Sequence, residues 1–184
     1  MMSLRGALAT KQSRRDCFVV LAMTLLLGGK AMALEITSTA FQNGQDIPAQ
    51  YTCEGSDASP PLSWNGAPAQ TKSFALIMDD PDAPMGTWVH WVVYDIPSTD
   101  SGLEAGVPKS KTLPSGAKQG ITSFRSIGYG GPCPPPGPKH RYLFKLYALD
   151  STLGLPPGKS KADVERAMKG HVLADAQLMG LYGR

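Results

Sequence analysis

Acidic and imidazole side chains stand close together at the end of one apolar segment and the start of the next. The apolar run 74–78 is followed by Asp79-Asp80-Pro81-Asp82-Ala83-Pro84, and His90 lies early in the next run. The prolines end the first strand, and the short loop 81–87 suits a hairpin-like return. The sequence therefore predicts that Asp80 and His90 are neighbours. The alternative is that the aspartates cap a turn and that His90 is a packed core residue.

A second group of polar side chains follows a stiff loop rich in glycine and proline. The segment Gly130-Gly131-Pro132-Cys133-Pro134-Pro135-Pro136-Gly137 leads into His140-Arg141-Tyr142 at the head of another apolar run. Alternation along a strand places His140 and Tyr142 on one face, where an imidazole and a phenol can donate hydrogen bonds. The alternative is a docking or connecting loop followed by aromatic residues that only pack.

These residue types fit three kinds of chemistry. The leading hypothesis is a binding pocket for an anion, without catalysis. A second is a hydrolase in which Asp80 and His90 form an acid–base pair, although no G-x-S-x-G motif supplies a serine nucleophile. A third is a metal site, because Asp80, His90 and His140 match a 2-His-1-carboxylate set in type. We expect no cofactor.

The elements that must position these groups are mainly strands. Compact apolar and aromatic runs at 74–78, 88–94 and 142–149 are typical of strands covered on both faces, as in a β-sandwich. Alternation would place Trp88, His90, Val92 and Tyr94 on one face. One helix is expected after Ser160, which with Asp163 resembles a capping box. The pattern then suggests a second helical turn through Leu173, Ala176 and Leu178.

The composition suggests one globular domain behind an export signal. The chain has 184 residues, 42% of them hydrophobic. Arg14 and Arg15 precede an apolar run from Cys17 to Leu27, and Ala31-Met32-Ala33 follows, which together predict a signal peptide over 1–33. An uncleaved anchor is the alternative, but the run is short for a stable membrane span. We expect a periplasmic or secreted protein with a domain over 34–184.

The charge distribution argues against nucleic acid as a partner. Five of the 18 Lys and Arg residues and one of the 15 acidic residues lie in 1–33, which leaves 13 bases and 14 acids in the remainder. A near-neutral body has no broad electrostatic footprint for a phosphate backbone. The sequence does not indicate an oligomeric state or a particular protein partner.

Two cysteines, Cys53 and Cys133, follow the predicted signal peptide. An even pair in an oxidising compartment favours a disulfide. The alternatives are two separate buried thiols or, less well supported, a zinc site, because the pair lacks C-x-x-C spacing.

The ordered motifs together resemble the phosphatidylethanolamine-binding protein family, also called Raf kinase inhibitor-like, in its short exported bacterial branch. The resemblance is carried by 80–84, His90, 131–137 and 140–142, with further likeness at Tyr51-Thr52-Cys53-Glu54-Gly55, Ser59-Pro60-Pro61-Leu62-Ser63-Trp64 and Gly170-His171-Val172-Leu173. It implies a two-sheet antiparallel β-sandwich with Greek-key connections and a short helical C-terminal region.

The resemblance also implies a small pocket for phosphate-like anions such as phosphoethanolamine, and a possible role in modulating a kinase or protease. Carried over by motif position, the pocket residues are Asp80, His90, Gly131, Pro134, His140 and Tyr142, with Asp82 and Pro84 supporting the rim. Backbone amides near Gly131 would join the anion contacts. The bond between Ala83 and Pro84 is expected to be cis.

Overall fold

The computed structural model describes residues 33–184, and within them the protein is mainly β. The predicted signal peptide over 1–33 therefore lies, except for its last residue, outside the described part of the chain. The strands are β1 (Glu35–Thr37), β2 (Gln45–Asp46), β3 (Leu62–Asn65), β4 (Ser73–Asp80), β5 (Trp88–Pro97), β6 (Gly102–Leu103), β7 (Lys118–Gln119), β8 (His140–Leu149) and β9 (Val172–Tyr182). One α-helix, α1 (Lys161–Met168), and a 3-10 turn, Ala49–Tyr51, accompany them.

The strands form two sheets. The smaller sheet has the order β1-β3-β6, and the larger has the order β2-β9-β8-β4-β5-β7. Every pairing between strands is antiparallel except that of β2 with β9, which is parallel. The expected two-sheet, mainly β architecture is thus confirmed, but the expectation of purely antiparallel sheets is wrong. The Greek-key pattern of the connections stays a prediction.

The central strand β4 is buried on both faces, as its continuous apolar run indicated. On one face Phe74 packs with residues of the smaller sheet, and its ring lies 5.5 Å from that of Trp64 between centroids. On the other face Ile77 belongs to a second apolar cluster, which Val164 and Met168 of α1 cover. Because α1 covers one face and the smaller sheet the other, the ends of the long strands are the places where polar side chains can collect.

The C-terminal segment corrects one prediction. Helix α1 begins as expected: the Ser160 hydroxyl accepts from the Asp163 N–H, and the Asp163 carboxylate accepts from the Ser160 N–H. The predicted second helical turn is wrong, because Val172–Tyr182 is strand β9, paired along its length with β8. Gly170, at φ +85°, ends the helical region in a conformation that favours glycine. The buried residues Leu178, Gly180 and Tyr182 then recur with the period of a strand.

Within residues 33–184, no helix is long and apolar enough to cross a membrane.

Candidate functional site

The predicted site residues meet at one end of the larger sheet. Asp80 is the last residue of β4 and pairs in register with Trp88, the first residue of β5. On the other side of β4, strand β8 begins with His140, and Tyr142 is its third residue. The antiparallel order β8-β4-β5 therefore brings a carboxylate, imidazoles and a phenol to the same edge, although they are separated along the chain.

A β-bulge gives His90 its position. In the register between β4 and β5, Met78 pairs with Trp91 while Asp79 pairs with Val89, so His90 is the extra residue of β5. The bulge breaks strict alternation. Trp91 consequently packs into the main core, whereas Val92 belongs to the opposite cluster. The expected common face of these alternating residues is therefore wrong in part. Trp88 and His90 both line the cavity, whereas Val92 and Tyr94 belong to the opposite apolar cluster.

The carboxylate of Asp80 pairs with His140. Its Oδ2 lies 2.8 Å from His140 Nδ1, and its Oδ1 accepts from the Asp82 N–H at 2.8 Å. Both side chains are largely buried, with 11% of His140 and 4% of Asp80 exposed. The carboxylate accepts from His140 Nδ1 and so fixes the orientation of the ring. Asp80 and His90 do lie at the same end of the sheet, but the imidazole bonded to Asp80 is that of His140.

The second imidazole, His90, is bonded to the main chain instead. Its Nδ1 lies 2.6 Å from the carbonyl oxygen of Gly130, and the residue is 3% exposed. The rings of Phe124 and Tyr142 each meet the His90 ring edge-on, with centroids 5.2 Å away. Burial lowers the pKa of His90 from its ordinary value.

The phenol of Tyr142 is a buried donor without a partner. The residue has no exposed surface, and its hydroxyl makes no hydrogen bond within the described chain. Burial, with the nearby Asp80 charge as a smaller cause, raises the pKa of Tyr142 far above its ordinary value, so the hydroxyl keeps its proton. Buried polar groups are seldom left unsatisfied in proteins, so the hydroxyl of Tyr142, a residue of the cavity wall, is available to a water molecule or to a ligand.

These groups open into a cavity of about 310 Å³. Among the described residues that line it, four have polar side chains and the others are apolar. The lining residues are Asp80, Ala83, Pro84, Met85, Trp88, His90, Phe124, Cys133, Pro134, Pro135, His140 and Tyr142. An apolar cavity with a few convergent polar groups is the usual form of a small-molecule site.

The loop 131–137 forms one wall and is held from several sides. The predicted disulfide between Cys53 and Cys133 is present, with Cα atoms 5.4 Å apart. The Cys53 N–H also donates to the Pro132 carbonyl at 3.1 Å, and Arg184 Nε donates to the Pro134 carbonyl at 2.7 Å. The covalent link thus joins the pocket wall to a segment about 80 residues earlier.

Two expectations about the rim need correction. The Gly131 N–H donates to Asp57 Oδ1 at 2.6 Å, so it is not free for an anion. No cis peptide bond occurs among residues 33–184, so the bond before Pro84 is trans. Asp82 supports the rim without lining the cavity.

The rim contact of Asp82 is an ion pair with Arg141. The Asp82 carboxylate accepts from the Arg141 main-chain N–H at 2.9 Å and from the guanidinium at 2.6 Å. The hydrogen-bonded guanidinium lowers the pKa of Asp82 to about 2. This pair fixes the start of β8 to the loop after β4, next to His140.

Sequence reasoning missed part of the apolar lining. Trp88 and Phe124 pack with their rings nearly perpendicular and 5.4 Å apart, and Phe124 is 43% exposed. Met85 is 92% exposed in the loop between β4 and β5. Strand position indicated only Trp88, since Phe124 comes from a remote loop without a local motif.

The metal-site hypothesis is not supported by the geometry. Within residues 33–184, no group of three or more His, Cys, Asp or Glu side chains is arranged to hold a metal ion. Asp80, His90 and His140 therefore do not form such a set: Asp80 faces His140 Nδ1, while His90 Nδ1 faces a carbonyl.

Two β-sheets with a small cavity at the strand ends, where a few polar side chains converge, are typical of a protein that binds a small ligand. Comparison with known proteins identifies the family. The family model described as "Phosphatidylethanolamine-binding protein" matches residues 37–183. The chain belongs to the phosphatidylethanolamine-binding protein family, as its motifs predicted.

Relatives and solved structures agree with this assignment. A UPF0098 protein of Aquifex aeolicus is 55% identical over 159 residues, which is 85% of this chain and 91% of the relative. One from Methanothermobacter thermautotrophicus is 53% identical over 151 residues, 82% of this chain and 99% of the relative.

Two crystal structures have the same fold. A putative phosphatidylethanolamine-binding protein homolog from Chlamydia trachomatis is 42% identical with a TM-score of 0.76, covering 83% of this chain and 98% of that one. E. coli YbcL, described as a new member of the mammalian family, is 34% identical with a TM-score of 0.77, covering 83% and 99%.

Proposed function

We propose that this protein is an exported binding protein for small phosphorylated anions, of which phosphoethanolamine is the model ligand. The observation that carries the proposal is the buried, unpartnered hydroxyl of Tyr142 in a cavity that His90 and His140 also line. The hydroxyl has no acceptor within the described residues, and an acceptor on a ligand in the cavity would satisfy it. His140, bonded through Nδ1 to Asp80, can donate through Nε2 when it is protonated.

The ligand contacts are few, which suits a head group rather than a long molecule. An anionic oxygen would accept from Tyr142 Oη and His140 Nε2, and Asp80 would hold the His140 ring in place through Nδ1. The apolar walls around Trp88 and Phe124 exclude water and so strengthen these hydrogen bonds. In a modulatory role toward a kinase or protease, the exposed side chains of Met85 and Phe124 at the mouth would supply apolar contacts.

Calorimetric titration with phosphoethanolamine tests the proposal. His140→Ala should weaken binding by about 1.5–3 kcal/mol, or roughly tenfold to 150-fold, because it removes a charge-assisted hydrogen bond. His171→Ala is the matched control, since exposed His171 pairs with Asp150 away from the cavity. Equal affinities in the wild type and His140→Ala would refute the anion pocket.

A hydrolase in the same pocket is the second candidate. The observation in its favour is the pair formed by Asp80 and His140, which has the geometry of an orienting carboxylate and a general base. Within the part of the chain that the structure describes, no serine or threonine lines the cavity, and Cys133 is held in the disulfide. Turnover of phosphate esters and carboxylic esters by the wild type, lost in Asp80→Asn, would favour this candidate over binding alone.

Export is the remaining part of the proposal. Strand β1 begins at Glu35, directly after the predicted cleavage site, so cleavage before Leu34 would leave the described domain intact. Periplasmic material should then have the intact mass of 34–184 with one disulfide. A mass that includes the first 33 residues would contradict it.

A further inference from the structure

The two imidazoles of the pocket differ in what their Nδ1 atoms face. His140 Nδ1 faces a carboxylate, whereas His90 Nδ1 lies 2.6 Å from the carbonyl oxygen of Gly130. A carbonyl can only accept a hydrogen bond, so His90 Nδ1 must carry the proton. In the neutral ring, Nε2 is then a lone-pair acceptor, and the side-chain hydrogen bond that this ring makes within residues 33–184 is the one from Nδ1.

The surroundings of His90 favour the neutral ring. Phe124, from the loop before the proline-rich segment, and Tyr142, from β8, cover it edge-on, and burial lowers its pKa. The hydrogen bond to the Gly130 carbonyl opposes this effect most, followed by the Asp80 carboxylate, the Gly131 main chain and the Asp57 carboxylate, all of which favour the charged form.

Both of those carboxylates already have partners. Asp80 is bonded to His140 and to the Asp82 N–H. Asp57 accepts from Lys109 at 2.7 Å and from the Gly131 N–H at 2.6 Å. Neither is therefore a bare charge beside His90, and desolvation is the largest influence on the ring.

The cavity thus presents an acceptor and a donor side by side. His90 contributes an Nε2 lone pair, while Tyr142 contributes a hydroxyl proton that no atom of residues 33–184 accepts. We propose that the pocket selects the singly protonated form of a phosphate monoester, with its P–OH donating to His90 Nε2 and a P–O⁻ oxygen accepting from Tyr142 Oη. This inference rests on the proposed anion-binding function and makes His90 its specificity-determining residue.

The selection excludes ligands of equal charge that lack the proton. A sulfate monoester and a phosphodiester each carry one negative charge and no acidic O–H at neutral pH. Either would set an oxygen lone pair against His90 Nε2, and a buried acceptor left unpaired weakens binding. The discrimination is therefore expected to come from one hydrogen atom rather than from charge or size.

A matched pair of ligands tests this: phosphoethanolamine and its sulfate counterpart, 2-aminoethyl hydrogen sulfate. Titrations at pH 6, close to the second ionisation of a phosphomonoester, give a large singly protonated fraction, and the affinity is calculated for that fraction. We expect the affinity for singly protonated phosphoethanolamine to exceed the affinity for the sulfate ester by about 10- to 100-fold. Glycerophosphoethanolamine, a diester with the same ammonium group, should bind as weakly as the sulfate.

The variant His90→Asn gives an independent measurement. Its amide nitrogen can still donate to the Gly130 carbonyl, but nothing replaces the Nε2 acceptor. The preference for phosphate over sulfate should fall to about threefold or less, while His171→Asn should leave it unchanged. In the wild type, the preference should also shrink as the pH falls through the lowered pKa of His90, because the imidazolium donates through Nε2.

The outcomes separate the inference from the function on which it rests. Equal binding of the phosphate and sulfate esters by the wild type would overturn the role of His90 and leave the anion pocket standing. Failure of all three ligands to bind would overturn both. If His90→Asn does not fold, the wild-type comparison alone decides.

Discussion

Replacing Tyr142 with phenylalanine should make the ligand-free protein more stable. The residue has no exposed surface and its hydroxyl has no partner, so the native state carries the desolvation cost of one buried polar group. That cost is about 1–3 kcal/mol, and removing the oxygen leaves only a small void. We expect a net gain of about 1–2 kcal/mol, which raises Tm by about 2–8 °C for a domain of this size.

The same substitution should weaken the binding of phosphoethanolamine. In the complex the hydroxyl donates to an anionic oxygen, a contact of about 1.5–3 kcal/mol, so affinity should fall roughly tenfold to 150-fold. Stability and affinity therefore change in opposite directions, as expected for a group whose only partner is a ligand. A purely packing role for Tyr142 would not produce this combination.

Tyr129→Phe is the matched control for Tyr142→Phe. Tyr129 is also buried, but its hydroxyl donates to the Tyr51 carbonyl at 2.7 Å. Its removal should destabilise the protein by about 1–3 kcal/mol, since the carbonyl loses its partner. Urea unfolding of both variants, with and without phosphoethanolamine, measures each effect. If Tyr142→Phe lowers the stability of the free protein or leaves the affinity unchanged, the reasoning about its hydroxyl is wrong.

Three further predictions concern the stability of the fold that holds the pocket. Replacing both Cys53 and Cys133 with serine should lower the free energy of unfolding by roughly 4 kcal/mol, because the disulfide closes a long loop in the unfolded chain; urea unfolding measures it. Asp82→Asn should cost about 0.5–1 kcal/mol at neutral pH and little near pH 2. A carboxylate whose pKa is lowered to about 2 stabilises the fold fully above its ordinary pKa of 3.8 and loses that effect as the pH falls through 2. Urea unfolding of both proteins between pH 2 and 7 measures the difference. Ser160→Ala removes the cap of α1 and should cost about 1 kcal/mol by thermal unfolding, with no effect on ligand affinity.

The parts of the fold that the sequence predicted are those specified by neighbouring residues. The apolar run of β4 indicated a strand buried on both sides, and the Ser160–Asp163 pair indicated the start of α1. The segment after Gly170 was misassigned because its apolar spacing fits a helical turn locally. Its pairing with β8 is a long-range interaction, and such pairing overrides local propensity.

In the site, too, local patterns predicted some positions and long-range contacts determine the others. The positions of His140 and Tyr142 on one face followed from simple alternation. The bulge at His90 could not be predicted, because it depends on how β5 registers against β4. The hydrogen bond from Gly131 to Asp57 and the contact of Phe124 with His90 likewise join segments that are distant in the chain, and no local motif indicates them.

The pocket is preorganised because most of its polar atoms are already engaged with protein. Asp80 is satisfied by His140 and a main-chain N–H, and His90 Nδ1 is satisfied by a carbonyl. Among the described residues, Tyr142 Oη is left without a partner, and the two imidazoles make their hydrogen bonds through Nδ1, so that Oη and the Nε2 atoms are the contacts proposed for a ligand. Little reorganisation is then needed on binding, so the few available contacts can yield specificity from a small head group. Since these atoms offer acceptor as well as donor capacity, the protonation state of the ligand should matter as much as its charge.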